Sequence, residues 1–155
     1  MAWVVLVAVL ALLTLQVREA SRRFRAGRML RQVEILTLRE AASGRVSPSV
    51  TAANFRLLRK AEELDPLLIG VPIARGSQYL FLRRPDEAIA AYEKALELEI
   101  RPEIHLNIGR AHLMAGREEA ALGAFALAVR LAPGLRREVP EELRKEVVRR
   151  AGLSG

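Results

Sequence analysis

The sequence predicts an all-α protein: an N-terminal transmembrane helix, a short solenoid of helical hairpins, and a C-terminal capping helix. Three observations predict it. Hydrophobic residues make up 51% of the 155 and aromatics only 5%, with much of the apolar content Ala and Leu, which lose least on entering a helix. Pro and Gly are few and fall between the apolar periodic segments. A set of landmark residues recurs every 33 or 34 positions. The chain has no Cys, which excludes disulfides, thiolate metal sites, cysteine nucleophiles and cysteine-linked lipid anchors, and leaves the redox compartment open.

Residues 1–17 are expected to form the membrane anchor. Ala2 to Val17 carry no charged side chain, and as a helix they span about 24 Å, near the short end of what crosses a hydrocarbon core of roughly 30 Å. Trp3 sits where an interfacial aromatic belongs, and Arg18 can snorkel outward at the other end. A cleaved signal peptide ordinarily carries Lys or Arg before its apolar stretch and small residues at the cut; neither is present. An amphipathic surface helix needs a polar face, which residues 2–17 lack. A buried core helix is superfluous, because the repeats below already account for a core.

Residues 18–31 are expected to form a basic juxtamembrane helix. Arg18, Arg22, Arg23, Arg25, Arg28 and Arg31 stand against Glu19 alone, which is five of the seven net positive charges. Beside an apolar segment such a run suits anionic lipid headgroups, each charge near the surface contributing about 1 kcal/mol. Nucleic acid is the weaker reading, since the basic stripe exists only next to the membrane. The membrane-flanking set is therefore Trp3, Arg18, Arg22, Arg23 and Arg25. By the positive-inside rule, residues 18–155 are expected in the cytoplasm with the N-terminus outside.

Residues 32–135 carry the repeat. Ala61, Ala95 and Ala128 align within Lys60–Pro66, Lys94–Ile100 and Leu127–Pro133. Ala88-x-x-x-Tyr92 recurs as Ala121-x-x-x-Phe125, and Gly76-x-x-Tyr79 as Gly109-x-x-His112. Antiparallel helices approach closely only where a small residue faces the partner, so Gly76, Gly109, Ala88 and Ala121 make room for the rings of Tyr79, Tyr92 and Phe125. Ala95 and Ala128 let the following pair stack. Pro66 and Pro133 stop the second helix of a pair. Arg83 to Asp86 and Gly116 supply tight turns, Pro85 suits a first helical position, and Ser43-Gly44 to Ser49 is a loop with Ser49 as N-cap. Residues 136–155 form a capping helix and tail. Leu143, Val147 and Val148 make a narrow apolar stripe on Pro140–Arg150, whose acids lead and bases follow as the helix dipole prefers.

On these residues the chain resembles the tetratricopeptide-repeat (TPR) family, whose signature is W-x-x-L-G-x-x-Y, then A-x-x-x-F, then P. The third repeat, about 102–135, reads His105 to His112 around Gly109, then Ala121-x-x-x-Phe125 and Pro133. The second, about 69–102, has Pro72-x-x-Arg75-Gly76-x-x-Tyr79 and Ala88-x-x-x-Tyr92, with Ile100 in place of Pro. The first, about 35–68, keeps its second half only; its first helix, near Arg31 to Ala42, lacks the Gly and the aromatic. The resemblance is strong over 50–135, weak over 31–49 and absent from the anchor.

The resemblance implies protein binding. TPR stacks present a concave groove lined by the first helix of each pair. The expected groove residues are Ile73, Ser77, Leu80 and Phe81, then Leu106, Asn107, Arg110, Leu113 and Met114, a mixed apolar surface suited to a helix or extended peptide from a protein partner. The competing reading buries this stripe against residues 31–42 or the C-terminal helix. Asn107 and Arg110 alone do not make the basic clamp with which some TPR domains hold acidic C-termini. A membrane-anchored bacterial assembly or scaffold factor at the inner membrane is what the resemblance implies, in keeping with 22 Arg against 3 Lys. The alternative is an obligate structural subunit of a larger membrane complex.

No enzyme, cofactor or metal site is expected. His105 and His112 share a helix face but lack the carboxylate or His partners of a metal site, and they occupy slots where the family packs Trp and Tyr. Glu62-Glu63 and Glu118-Glu119, at exposed helix ends, are expected to be solvated or paired to Arg. No phosphate loop, nucleophile elbow or nucleophile–base pair is present.

Overall fold

The computed structural model describes residues 1–44 and 47–153. Every regular element in them is helical: α1 (Ala2–Ser43), α2 (Pro48–Leu64), α3 (Gly70–Phe81), α4 (Pro85–Leu98), α5 (Pro102–Met114), α6 (Glu118–Leu131), a 3-10 helix (Pro133–Glu138) and α7 (Glu141–Arg150). The chain divides into two compact units, Met1–Val71 and Pro72–Gly155.

In the first unit α1 runs unbroken for 42 residues, about 63 Å at 1.5 Å per residue. The apolar segment, the basic segment and the first helix of the weak repeat are thus one rod, because nothing from Ala2 to Ser43 interrupts backbone hydrogen bonding. Residues before Ala26 are exposed. Beyond them Ala26, Val33 and Glu40, each seven residues apart, form the buried stripe of α1, and α2 buries Asn54, Leu58 and Ala61. The two helices are antiparallel: Arg22 donates to the Glu63 carbonyl at the C-terminal end of α2, and Asn54 near the other end donates to Thr37 Oγ1 at 3.4 Å.

Glu40 makes the turn. Its carboxylate accepts the Ser47 backbone N–H at 2.6 Å, where the positive end of α2 favours a negative charge. Gly44 ends α1 at φ 64°, a left-handed conformation natural to Gly. The expected N-cap is corrected: α2 starts at Pro48 with Ser47 as cap. Ser49 lies inside the first turn, because Pro48 is already preorganised for the first helical position. Arg45 and Val46 of the expected loop lie outside the described residues, as do Ser154 and Gly155 of the expected tail.

In the second unit the landmarks do what their chemistry predicts. Ala88, Tyr92 and Ala95 on α4 and Ala121, Phe125 and Ala128 on α6 have no exposed surface. A Cβ on Gly76 would lie 2.6 Å from the Tyr92 ring, and one on Gly109 would lie 2.5 Å from that of Phe125. Gly116 turns the chain at φ 71° and Arg83 does so at φ 56°. Pro85 opens α4, and Pro133 opens the 3-10 helix two residues after α6 ends. Tyr79 differs from the expected interior ring. It is half-buried, with the Arg84 guanidinium 5.2 Å from its ring centre, a cation–π contact.

The C-terminal segment closes this unit. Val139, Val147 and Ala151 join Leu106, Leu122, Phe125 and Val129 in one core, with Leu143 packed at its margin. Glu141 and Glu142 lead α7 and Arg149 and Arg150 end it. Arg150 reaches Glu119 at 2.7 Å and ties α7 to the start of α6.

Candidate interaction surface

The expected groove lies on α3 and α5, and packing decides which of its residues are available. Ile73, Leu80 and Phe81 on α3 are half-buried, and Met114 on α5 is 40% exposed. Ser77 is half-buried, but its hydroxyl is occupied. It lies 3.1 Å from the Ile73 carbonyl, to which it donates, and 3.2 Å from the Tyr92 hydroxyl on α4. Ser77 therefore takes part in the packing within its own hairpin.

On α5 burial goes further. Leu106 is 1% exposed within the C-terminal core, and Leu113 packs against that core. The C-terminal segment takes up these apolar side chains because a terminal hairpin has no following repeat to cover it. Asn107 and Arg110 remain near the surface in a polar network. Arg110 donates to Asn107 Oδ1 at 2.9 Å and to Glu138 Oε2 at 3.0 Å. Burial raises the Tyr92 phenol, against the lowering effects of its Ser77 hydrogen bond and the Arg110 charge. Ile73, Leu80 and Phe81 on α3 and Asn107, Arg110, Leu113 and Met114 on α5 thus keep at least part of their surface exposed, whereas Leu106 does not.

The histidines are half-buried side chains of α5. Burial lowers both pKa values, and at His112 Arg117 adds to the lowering while Glu93 and Asp86 oppose it, which favours the neutral form of each. Among the described residues no group of three or more His, Cys, Asp or Glu side chains converges as a metal site would require.

At the other end of the chain, Trp3 is exposed, and the Ala2–Ser43 helix is long and apolar enough to cross a membrane by length and composition. Arg18 is exposed at the foot of the basic segment. Arg22, Arg23 and Arg25 have neighbours within the chain. Arg22 caps α2, Arg23 pairs with Glu19 at 3.2 Å, and Arg25 donates to the Ser21 carbonyl. Sequence reasoning missed Arg22 as a cap because its partner carbonyl is forty-one residues away in the chain.

Antiparallel helical hairpins with small residues under large rings, closed by a charged terminal helix, define a helical-repeat interaction scaffold. The sequence profile of the tetratricopeptide repeat matches residues 73–135, and over that segment the chain is similar to the TPR family. No curated protein matches the chain. Among solved structures it is similar to a thermophilic TPR protein of Thermus thermophilus, with 25% identity and a TM-score of 0.64 over 86% of this chain and 68% of that one.

Proposed function

We propose that this protein is a membrane-anchored adaptor that holds a helix or extended segment of a partner protein on the α3–α5 face. Residues 2–17 serve as a single-pass anchor in a bacterial inner membrane, and the repeats lie in the cytoplasm. The observation that carries the reading is an incompletely covered apolar row. Ile73, Leu80 and Phe81 on α3 and Met114 on α5 keep exposed surface, while Leu106, at the place on α5 that corresponds to Ile73, is buried in the core and Leu113 packs against its margin. Fixed polar groups flank the row, since Arg110 is held by two acceptors, which lowers the ordering cost of using it in binding. Binding energy concentrates in a few large side chains, which makes Phe81 and Met114 the anchors.

The test is the full-length double variant Phe81→Ser with Met114→Ser, isolated from native membranes. Its helical content is expected to match the parent while partner recovery drops about tenfold or more, as expected for removal of two anchors. A variant that stays folded and recovers the same partners would remove the α3–α5 face as the site. Arg110→Glu is expected to weaken an acidic partner further, with a loss that shrinks at high salt.

A further inference from the structure

The last hairpin of the chain is sealed by α7, whereas the first hairpin has an uncovered side. On that side of the first unit, Phe24, Ile35 and Leu36 of α1 and Leu57 of α2 floor a trough of about 780 Å³. Phe24 is 63% and Ile35 51% exposed. The opposite side of α1 is in use, because Leu30 packs against Gly70, and Leu30 points away from Arg28, Ile35 and Arg39 at 3.6 residues per turn. Arg25, Arg28, Arg31 and Arg39 line the same trough and no carboxylate does. Among the described residues none of the four has a carboxylate partner.

We infer that this trough is a second docking site, taking an acidic amphipathic helix of a partner protein that stacks on the α1–α2 hairpin as a further helix of the array. The apolar floor takes the partner's hydrophobic face, and the arginines take carboxylates flanking it. A second copy of the chain would set four arginines against four. Nucleic acid would use the guanidinium groups and a base could stack on Phe24, but it gains nothing from Ile35, Leu36 and Leu57, which make up most of the floor.

Lipid headgroups are excluded by distance, given the anchor reading on which this step rests. With Val17 at the edge of the hydrocarbon, Arg28 stands about 16 Å and Arg39 about 33 Å farther along the same helix. A typical tilt of about 20° shortens these only slightly. The headgroup layer adds roughly 5–8 Å on each side, and the screening length at physiological salt is about 8 Å. Only the lower arginines reach the lipid.

The experiment uses the full chain in nanodiscs of zwitterionic lipid and a labelled synthetic amphipathic helix with Leu on one face and Glu on the other. Saturable binding is expected, weakened about tenfold or more by Arg28→Glu with Arg39→Glu and by high salt, and unchanged by Phe81→Ser with Met114→Ser. The neutral pair Arg28→Gln with Arg39→Gln is expected to fall between, and circular dichroism checks that each variant is folded. Equal binding of the same helix carrying Lys for Glu would overturn the proposal, as would an oligonucleotide that binds tighter and displaces the peptide. So would anionic vesicles competing through Arg28 and Arg39, concentration-dependent dimerisation abolished by the Arg28 and Arg39 changes, or full binding by the charge-reversed variant. A chain that stays soluble without nanodiscs removes the anchor reading alone, since the peptide titration proceeds in solution. Loss of native partners from the Phe81 and Met114 variant with peptide binding intact reports on the α3–α5 face alone.

Discussion

An added methyl group at Gly109 would lie 2.5 Å from two ring carbons of Phe125, a ring with no exposed surface and nowhere to move. Gly109→Ala is therefore expected to lower the melting temperature and Gly109→Leu to lower it more, the overpacking costing about 1–3 kcal/mol. Gly123 is the internal control. It sits within α6 with nothing within 4 Å of an added Cβ, so Gly123→Ala is expected to raise stability by about 1 kcal/mol through helix propensity. Thermal denaturation of both variants checks the pair. The histidines give a pH signature. Their folded pKa values are lowered by burial, so protonation favours the unfolded chain. The stability they confer is complete above the unfolded value near 6.5 and is lost as pH falls toward the folded values. His105→Gln with His112→Gln is expected to flatten the decline in melting temperature between pH 7 and 5. A second loss begins below about pH 4.5, where Glu146 must be protonated. Hydrogen bonds from Arg149 and Arg150 hold its folded pKa at about 2.

At the scale of elements, the first hairpin shows how a repeat survives without its signature residues. Asn54, Leu58 and Ala61 are all fully buried and lie thirty-four positions before Ala88, Tyr92 and Ala95. The small–large–small rhythm is kept with different chemistry, so a motif defined by Ala and an aromatic passes over it. Only Ala61 was legible from the sequence, because only its identity is repeated. Glu40 is the connection the sequence hid, since a carboxylate that caps the next helix resembles any other surface Glu until the turn is formed. Glu40→Ala is expected to cost about 1 kcal/mol, as loss of a helix cap does. Glu40→Gln should cost less, because an amide oxygen still accepts from Ser47; urea denaturation of the two variants separates them.

At the scale of the molecule, the anchor reading predicts that a C-terminal reporter active only in the periplasm stays silent, and that the mature chain retains Trp3 when its mass is measured. Removing residues 1–17 is expected to release the protein from membranes with its helical signal per residue in the repeats unchanged, because the residues before Ala26 are exposed. Activity of the periplasmic reporter, or a mature chain starting near residue 20, would count against the anchor. The sequence by itself determined the helical class, the repeat spacing, the turns at Arg83 and Gly116, and the two glycines that admit rings. Each depends on local conformation or on side-chain sizes that recur at a fixed interval. Only the tertiary structure decided that α1 is one rod from Ala2 to Ser43, that Arg22 caps α2, and that Leu106 is covered while Met114 is not. Periodicity identifies an apolar face of a helix, but what covers that face depends on where distant segments fold back.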